Sequence, residues 1–534
     1  MQELRISRNT AVTAFNQLVS EGVLTAKPGS GVYVADPPAS HPLPPPPLQS
    51  GVSRNWQEPE SDLSSRPSLG PVLGLEPLPS RPVTPIPPPA PVADRSMVPP
   101  RPAPPVPIAP PRPLGQQSSM PGQVPGNRPR EAAESGSSEP GPAISRGAAV
   151  LPLIPLNQLT AHRSFRPFRP GLPDYRDFPM VLWERLRDRV LHDQAPEMLA
   201  PADPAGYRPL REALAKYFEE TRDIRCQPDQ IFITSGLTET AQITSIVALP
   251  PEGFVGVEEP GYVPAKAVFL AAGARLIPLL VDEEGAIPPH GRRKNPPQVL
   301  YVTPGHQFPL GVPMSLPRRL GFLDFVLATG SIILEDDYDR ELCYHGSLPA
   351  SLFSLDNSSS TLYATSLGKL LFPSLRLSCV IVPQSRVEIF LKARAVAGPP
   401  NSTIDQATLT LFIREGHFAQ HMRYIRGVCQ HRLSMLRAIF TSEFEGIFEL
   451  DETNAGLQTI AWLGRGWDED EVASAGLAAG LEITPLGAYG RTALLRPGVV
   501  LGFAAWTEEE IRRAATRLLL ALRAKRASAA GASS

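Results

Sequence analysis

Three side chains with complementary chemistry follow predicted strands in the C-terminal part of the chain. The run SIILEDDYD places Asp336 and Tyr338 after a buried strand, and the run TLYATSLGK ends at Lys369. A desolvated lysine near other cations has a lowered pKa, so its amine can attack an aldehyde and form a Schiff base. A buried carboxylate such as Asp336 can keep a ring nitrogen protonated, which makes that ring an electron sink. Tyr338 can hydrogen-bond a hydroxyl on the same ring.

A second set of residues has the types that bind phosphate. Ser366 precedes Lys369 and Arg376 follows it, and a guanidinium matches phosphate oxygens bidentately. A turn after another strand opens a helix, so its backbone N–H groups can bind the same phosphate. The turn consists of Gly236, Leu237 and Thr238.

The ring also needs a stacking partner, for which Tyr262 in EEPGY is the candidate. Taken alone, each of these residues is more often a surface lysine, a solvated turn or a helix cap. Their order and their positions at strand ends favour one shared site. An amine, a ring-nitrogen partner and a phosphate site together predict pyridoxal 5′-phosphate as the cofactor, with Lys369 as the catalytic residue and no metal ion.

The elements that must position these residues are those of an α/β domain. Amphipathic stretches such as LREALAKYFEETR alternate with strand-like apolar runs, and open sheets of this kind bind ligands at the carboxyl ends of their strands. We predict this domain over residues 161–525, with a disordered tail at 526–534. The strand-like runs are QIFITSG, GFVGVEEPGY, QVLYVTP, SIILEDD, TLYATS and LRLSCVIVP.

Residues 1–36 have the pattern of a recognition helix followed by a wing. Residues 6–22 carry apolar positions at helical spacing and a polar opposite face, and two short strands flank a turn in VLTAKPGSGVYVA. Such a helix and hairpin are typical of a winged helix-turn-helix, although an ordinary amphipathic helix with a solvated face is the alternative. The candidate contacts to double-stranded DNA are Arg8, Asn9, Thr10, Thr13 and Lys27.

Composition separates these two regions. Most of the 64 prolines precede residue 160, and residues 37–160 lack sustained apolar periodicity, so we predict a disordered, Pro-rich linker there. A formal net charge of -2 requires any DNA contact to come from a local surface. Four scattered cysteines, charged first residues and no long apolar run predict a cytoplasmic protein without membrane contact.

Several segments resemble the MocR/GabR regulators, a subfamily of the GntR transcriptional regulators. The resemblance implies a transferase domain of fold type I, with a large, mostly parallel mixed sheet and a smaller α+β part. It also implies bacterial transcription control by a homodimer with cofactor sites at its interface. Since only part of a winged helix is present, either further DNA-binding helices precede Met1 or the DNA-binding unit is damaged, and we favour the first. The segments are DPAGYRPLREALAKY, IFITSG, EEPGY, YVTPGHQFPLG, ILEDDYDRE, KLLFPSLRL and, for the GntR-type end, ISRNT and PGSGVYVA.

The chain departs from the family pattern at several positions. Gly368 and Gly305 stand where the family commonly has serine, which leaves His306 and Gln307 as possible cofactor-side groups. Leu237 and Thr238 replace an Ala-Gln pair. Val500 aligns with an arginine that binds substrate carboxylate in amino-acid-handling relatives, and Arg491 or Arg496 is the alternative for that role.

Three functions are therefore open, the weakest of which is a cofactor-binding scaffold with neither of the two activities that follow. The first is a DNA-binding transcriptional regulator that responds to pyridoxal phosphate and to an amine or amino-acid effector. The alternative is a class I aminotransferase with a vestigial DNA-binding segment. Loss of the bidentate arginine weighs against efficient catalysis, so the enzymatic activity stays undecided at this point.

Overall fold

The computed structural model describes residues 24–27, 31–34, 165–290, 295–346, 348–490 and 496–532. The chain divides into two compact units, Met1–Arg128 and Pro129–Ser534. The first unit contains the predicted hairpin, in which β1 (Leu24–Lys27) pairs antiparallel with β2 (Gly31–Val34). The predicted helix at 6–22 and the predicted linker at 37–160 lie outside the described residues.

The second unit alternates strands and helices, as predicted. Its strands are β3 (Ile231–Thr234), β4 (Phe254–Glu259), β5 (Arg275–Asp282), β6 (Gly285–Ala286), β7 (Val299–Val302), β8 (Ile332–Asp336), β9 (Thr361–Ser366), β10 (Ser378–Ile381), β11 (Phe448–Leu450), β12 (Gln458–Leu463), β13 (Thr484–Pro485) and β14 (Gly498–Gly502). Its helices are α1 (Met180–Asp193), α2 (Ala195–Met198), α3 (Arg208–Arg222), α4 (Leu237–Ala248), α5 (Val263–Ala271), α6 (Leu316–Thr329), α7 (Leu352–Leu355), α8 (Val387–Ala397), α9 (Thr403–Arg414), α10 (His417–Glu443), α11 (Glu469–Ala478) and α12 (Glu508–Ala532).

The large sheet has eight strands in the order β3-β10-β9-β8-β7-β4-β5-β6. Strands β9, β8, β7, β4 and β5 are parallel neighbours. Strand β10 runs antiparallel to both β3 and β9, so β3 and β9 point the same way. The carboxyl ends of β3, β4, β7, β8 and β9 therefore lie along one edge of the sheet, where ligand sites of such folds form.

A smaller antiparallel sheet follows, in the order β11-β12-β14-β13. Strand β14 is buried along its whole length and pairs with β12 on one side and β13 on the other. Together the two sheets match the predicted fold class: a large, mostly parallel mixed sheet and a smaller α+β part. Among the described residues, no helix combines the length and apolar character needed to cross a membrane.

The strands that lead to the edge are continuous apolar runs because both faces of the large sheet are covered. All five residues of β8 are buried, so its two acidic residues enter the interior with the strand rather than solvent. Helix α4 begins directly after Gly236, whose φ of +152° and ψ of 174° are accessible essentially only to glycine. These local features place polar groups at the end of otherwise apolar strands.

Candidate functional site

Lys369 lies in the turn after β9 and points at two aromatic rings. Its Nζ lies 4.6 Å from the ring centre of Tyr338 and 5.1 Å from that of Tyr262. Its backbone N–H donates to the Ser366 hydroxyl at 3.3 Å, which orients the turn. Contact of an ammonium group with ring faces stabilises it at these distances. The structure thus brings together four of the residues selected from the sequence.

Asp336 ends β8 and is 5% exposed. Burial raises the pKa of its carboxyl to about 6. The charge of Lys369 and a hydrogen bond from Tyr301 both lower this pKa, but burial outweighs them. The Tyr301 hydroxyl donates to Oδ2 at 2.9 Å, so one carboxylate oxygen is held by the protein. The charge of Lys369 therefore acts on a carboxylate that is buried and fixed in position.

The predicted phosphate turn faces the predicted phosphate arginine. A Cβ placed on Gly236 would lie 3.8 Å from Nη2 of Arg376, so a side chain there would occupy the space between the helix start and the guanidinium. The first N–H groups of α4 have no partner within the helix, and Leu237 and Thr238 provide two of them. Arg376 is exposed, and its carbonyl accepts from Asn401 Nδ2 at 2.8 Å. This cradle fits a phosphate group.

One turn donor is already used. The N–H of Ser235 donates to the carboxylate of Glu239 at 2.6 Å, and that carboxylate pairs with the buried Arg394 at 3.3 Å. The arginine compensates the acidic charge beside the turn. The donors that remain for an anion therefore follow Ser235 in the chain.

Tyr262 precedes α5 and packs edge-on against Phe308, with ring centres 5.3 Å apart. Phe308 also contacts the rings of Tyr338 at 6.0 Å and Tyr489 at 5.2 Å. Sequence reasoning did not select Phe308 or Tyr489, because no spacing in the chain indicates that distant segments supply one aromatic wall. Phe308 therefore links the two rings that contact the Lys369 amine, Tyr262 and Tyr338.

The expectation that Gln307 faces a cofactor is wrong. Its Nε2 donates to Glu258 at 3.1 Å, to the Pro260 carbonyl at 2.9 Å and to the Phe308 carbonyl at 2.7 Å. Its Oε1 accepts from the N–H of Leu310 at 3.0 Å. The amide is fully engaged in holding the loop after β7 to the end of β4, so it has no free group for a ligand.

Glu258 is a further buried carboxyl that the sequence analysis missed. Besides Gln307 it accepts from the N–H of Thr303 at 2.9 Å, and burial raises its pKa to about 7. The doublet Glu258–Glu259 at the end of a strand was a usable signal. Only the packing of the loop after β7, which supplies Thr303 and Gln307, shows that its side chain is buried.

Two of the three residues considered for substrate carboxylate binding are described by the structure, and both have other surroundings. Val500 is fully buried in β14, opposite Ile460, within an apolar cluster that also contains Leu300 and Leu486. Arg496 instead pairs with Glu449 near the surface. Arg491 lies outside the described residues.

The candidate DNA contacts are in the other unit. Lys27 is the last residue of β1 and pairs with Gly31 across the hairpin. The remaining four, Arg8, Asn9, Thr10 and Thr13, lie outside the described residues.

Comparison with known proteins identifies the fold and the family. No family model matches the chain. It is 29% identical over 360 residues to the probable rhizopine catabolism regulatory protein MocR of Rhizobium meliloti, covering 67% of this chain and 73% of that protein. It is 31% identical over 342 residues to YhdI, an uncharacterized HTH-type transcriptional regulator of Bacillus subtilis (strain 168), covering 64% of this chain and 72% of YhdI.

A solved structure agrees on the fold. LysN, an alpha-aminoadipate aminotransferase from Thermus thermophilus, covers 72% of this chain and 98% of its own with a TM-score of 0.63 at 23% identity. The large domain described above is therefore an aminotransferase fold of type I. The chain itself belongs to the HTH-type transcriptional regulators of the GntR family that carry an aminotransferase-like domain, the MocR-type regulators.

Proposed function

We propose that this regulator binds pyridoxal 5′-phosphate at the carboxyl edge of the large sheet, and that the bound ligand controls DNA binding by a homodimer. The observation that carries the proposal is the convergence of Lys369, Asp336 and the Gly236–Arg376 cradle at that edge. An amine, a buried acid and an anion site are the three groups that this ligand needs. The ligand, when bound, supplies an aldehyde that condenses with primary amines and a ring that withdraws electrons.

Each candidate residue has a defined part in this proposal. Lys369 presents its amine, and Asp336 holds the proton on the ring nitrogen. Tyr338 donates to the ring oxygen, and Tyr262 packs on the ring. The phosphate is bound by Ser366, Arg376, Gly236, Leu237 and Thr238.

Control of DNA binding requires that the two ligand states favour different arrangements of the regulator. A ligand shifts such an equilibrium only through its differential affinity for the arrangements. An amine or amino-acid effector that reacts at the Lys369 site changes the occupant of that site and provides such a difference. DNA contacts are assigned to Arg8, Asn9, Thr10, Thr13 and Lys27, which suit phosphate and base edges.

The cofactor part is tested by absorbance of the purified full chain during titration with pyridoxal phosphate. We expect a visible band that is absent in Lys369→Ala. The matched control is Lys392→Ala, since Lys392 is an exposed lysine paired with Glu388 on α8, and this variant keeps the band. Equal bands in both variants, or no band in the unaltered protein, would remove the proposed lysine role.

The DNA part is tested by DNase footprinting of the upstream region of its own gene, with and without cofactor. The full chain and a version extended by the codons before Met1 are compared. Protection that changes with the cofactor supports the regulator, and Lys27→Ala is expected to weaken it at every sequence because a phosphate contact carries no base information. Absence of protection under all conditions contradicts DNA binding.

Transamination is the second candidate, because the fold is that of an aminotransferase. The apolar environment of Val500 opposes it, since a charge-assisted pair with a carboxylate contributes about 1.5–3 kcal/mol that a valine cannot supply. Steady turnover of an amino donor and a keto acid by the purified chain would favour this candidate over ligand sensing alone.

A further inference from the structure

A buried histidine and a buried aspartate lie directly behind Tyr338. His306, in the loop after β7, places Nδ1 2.7 Å from Oδ2 of Asp339 and 3.2 Å from the hydroxyl of Tyr338. The three residues are 7%, 2% and 8% exposed. The ring of Tyr338 in turn carries the Lys369 amine on its face. A buried pair of titratable groups is thus one contact away from the candidate site.

The backbone encloses the imidazole on two sides. A Cβ on Gly311 would lie 2.9 Å from Nε2 of His306, and a Cβ on Gly456 would lie 2.8 Å from Cε1 and from Oδ2 of Asp339. Both glycines have positive φ angles, +78° and +86°, so side chains are disfavoured there by conformation as well as by space. The ring therefore packs closely against both backbone segments, and its Nδ1 is directed at both oxygens.

This geometry fixes where the protons lie. An ionised carboxylate only accepts hydrogen bonds, so Nδ1 carries a hydrogen directed at Asp339. A protonated Nδ1 cannot accept from Tyr338, and the tyrosine oxygen becomes a second acceptor beside it. The hydroxyl hydrogen of Tyr338 has the carboxylate of Asp339 as one acceptor, and an acceptor on the Lys369 side competes with that carboxylate for it.

The electrostatics are consistent with this arrangement. Burial lowers the pKa of the His306 imidazole. The negative charges of Asp339, Asp337 and Asp451 and the hydrogen bond to Asp339 outweigh burial, so the pKa is raised. Burial, reinforced by the charge of Asp339, raises the pKa of the Tyr338 phenol. The phenol therefore stays protonated and remains a donor.

We propose that His306 and Asp339 form a positioning pair that orients Tyr338 as a hydrogen-bond donor toward the ring oxygen of the bound ligand. This inference rests on the proposed cofactor site and adds to it two residues that do not touch the ligand. It predicts that His306 acts only through Tyr338, whereas a residue that merely fills the core acts independently of it.

The test is a double-mutant cycle on the full chain, with pyridoxal phosphate as the probe. His306→Gln alone is expected to weaken binding roughly five- to tenfold, the size of one lost hydrogen bond. In the Tyr338→Phe background the same substitution is expected to have little further effect, because the group it orients is gone. The control is His431→Gln, which breaks an exposed histidine–carboxylate pair with Glu508 and leaves binding unchanged.

A spectroscopic measurement separates positioning from packing. The pH midpoint of the bound ligand's absorbance is expected to move in His306→Gln in the same direction as in Tyr338→Phe, by up to about one pH unit. Asp339→Asn has nearly the same shape as the native side chain and is expected to produce a smaller shift of that kind. If His306→Gln does not fold, Asp339→Asn carries the test.

The outcomes distinguish the two proposals. Failure of the unaltered protein to bind the probe overturns the cofactor site itself. Normal binding with additive effects of His306→Gln and Tyr338→Phe, or an unmoved pH midpoint, overturns the positioning pair and leaves the cofactor site standing.

Discussion

The substitution Gly236→Ala tests the phosphate cradle through two separable effects. The backbone at Gly236 lies at φ +152° and ψ 174°, a region that costs a residue with a Cβ about 1–3 kcal/mol. The added methyl group would also stand 3.8 Å from Nη2 of Arg376, in the space that a phosphate would occupy. Loss of charge-assisted hydrogen bonds there corresponds to about 1.5–3 kcal/mol, or roughly ten- to 150-fold in affinity.

Gly398 provides the matched control for the backbone effect. It has nearly the same conformation, φ 157° and ψ 179°, but a Cβ on it would meet no atom within 4 Å. Gly236→Ala and Gly398→Ala are therefore expected to lower the free energy of unfolding by similar amounts in urea. Only the first should weaken ligand binding.

The assay compares pyridoxal phosphate with pyridoxal, which lacks the phosphate. Gly236→Ala is expected to reduce the affinity for the phosphorylated ligand by roughly ten- to 150-fold and to change that for pyridoxal far less. An equal loss for both ligands would show that the substitution acts by strain alone, and the cradle would then lie elsewhere.

Two further predictions concern the pH dependence of stability and the serine hydroxyl that is absent at Gly368. Burial raises the pKa of Glu258 from 4.5 to about 7, so the folded chain binds this proton more tightly than the unfolded chain. The contribution of Glu258 to the free energy of unfolding therefore falls as pH rises from about 4.5 to 7, by roughly 3 kcal/mol in all. Urea unfolding of Glu258→Gln should lack this decrease, and identical pH profiles for both proteins would contradict the assignment. Gly368→Ser should tighten pyridoxal phosphate binding roughly three- to tenfold, because the added hydroxyl provides one more donor to the phosphate. The substitution fits sterically, since a Cβ at this position lies at an ordinary 3.7 Å from its neighbours. Unchanged affinity would place the phosphate away from this turn.

The sequence was sufficient for the fold class and for the position of the strand ends. Alternating apolar runs and amphipathic stretches indicate a mostly parallel sheet, and the carboxyl ends of its strands form a single edge whatever their order. Asp336 and Lys369 end β8 and follow β9, which are neighbours in that sheet. The proximity of Asp336 and Lys369 therefore follows from the strand order, which the family resemblance supplies.

The residues that hold the site residues in place depend on strand register, so they could not be predicted from the sequence in the same way. Tyr301 reaches Asp336 because β7 and β8 pair with Tyr301 beside Leu334, and a shift of one residue would turn its side chain to the other face. Gln307 was misinterpreted for the same reason, since its partners Glu258 and Pro260 belong to another strand end.

The position of β10 relates the order in which the chain is synthesised to the formation of the proposed pocket. This strand is the last of the large sheet to emerge during synthesis, yet it lies between β3 and β9 and so separates the strand that leads to Gly236 from the one that leads to Lys369. Until it is inserted, β3 and β9 lack the strand that pairs with both of them. A molecule that occupies the finished pocket therefore stabilises only chains that have completed this step.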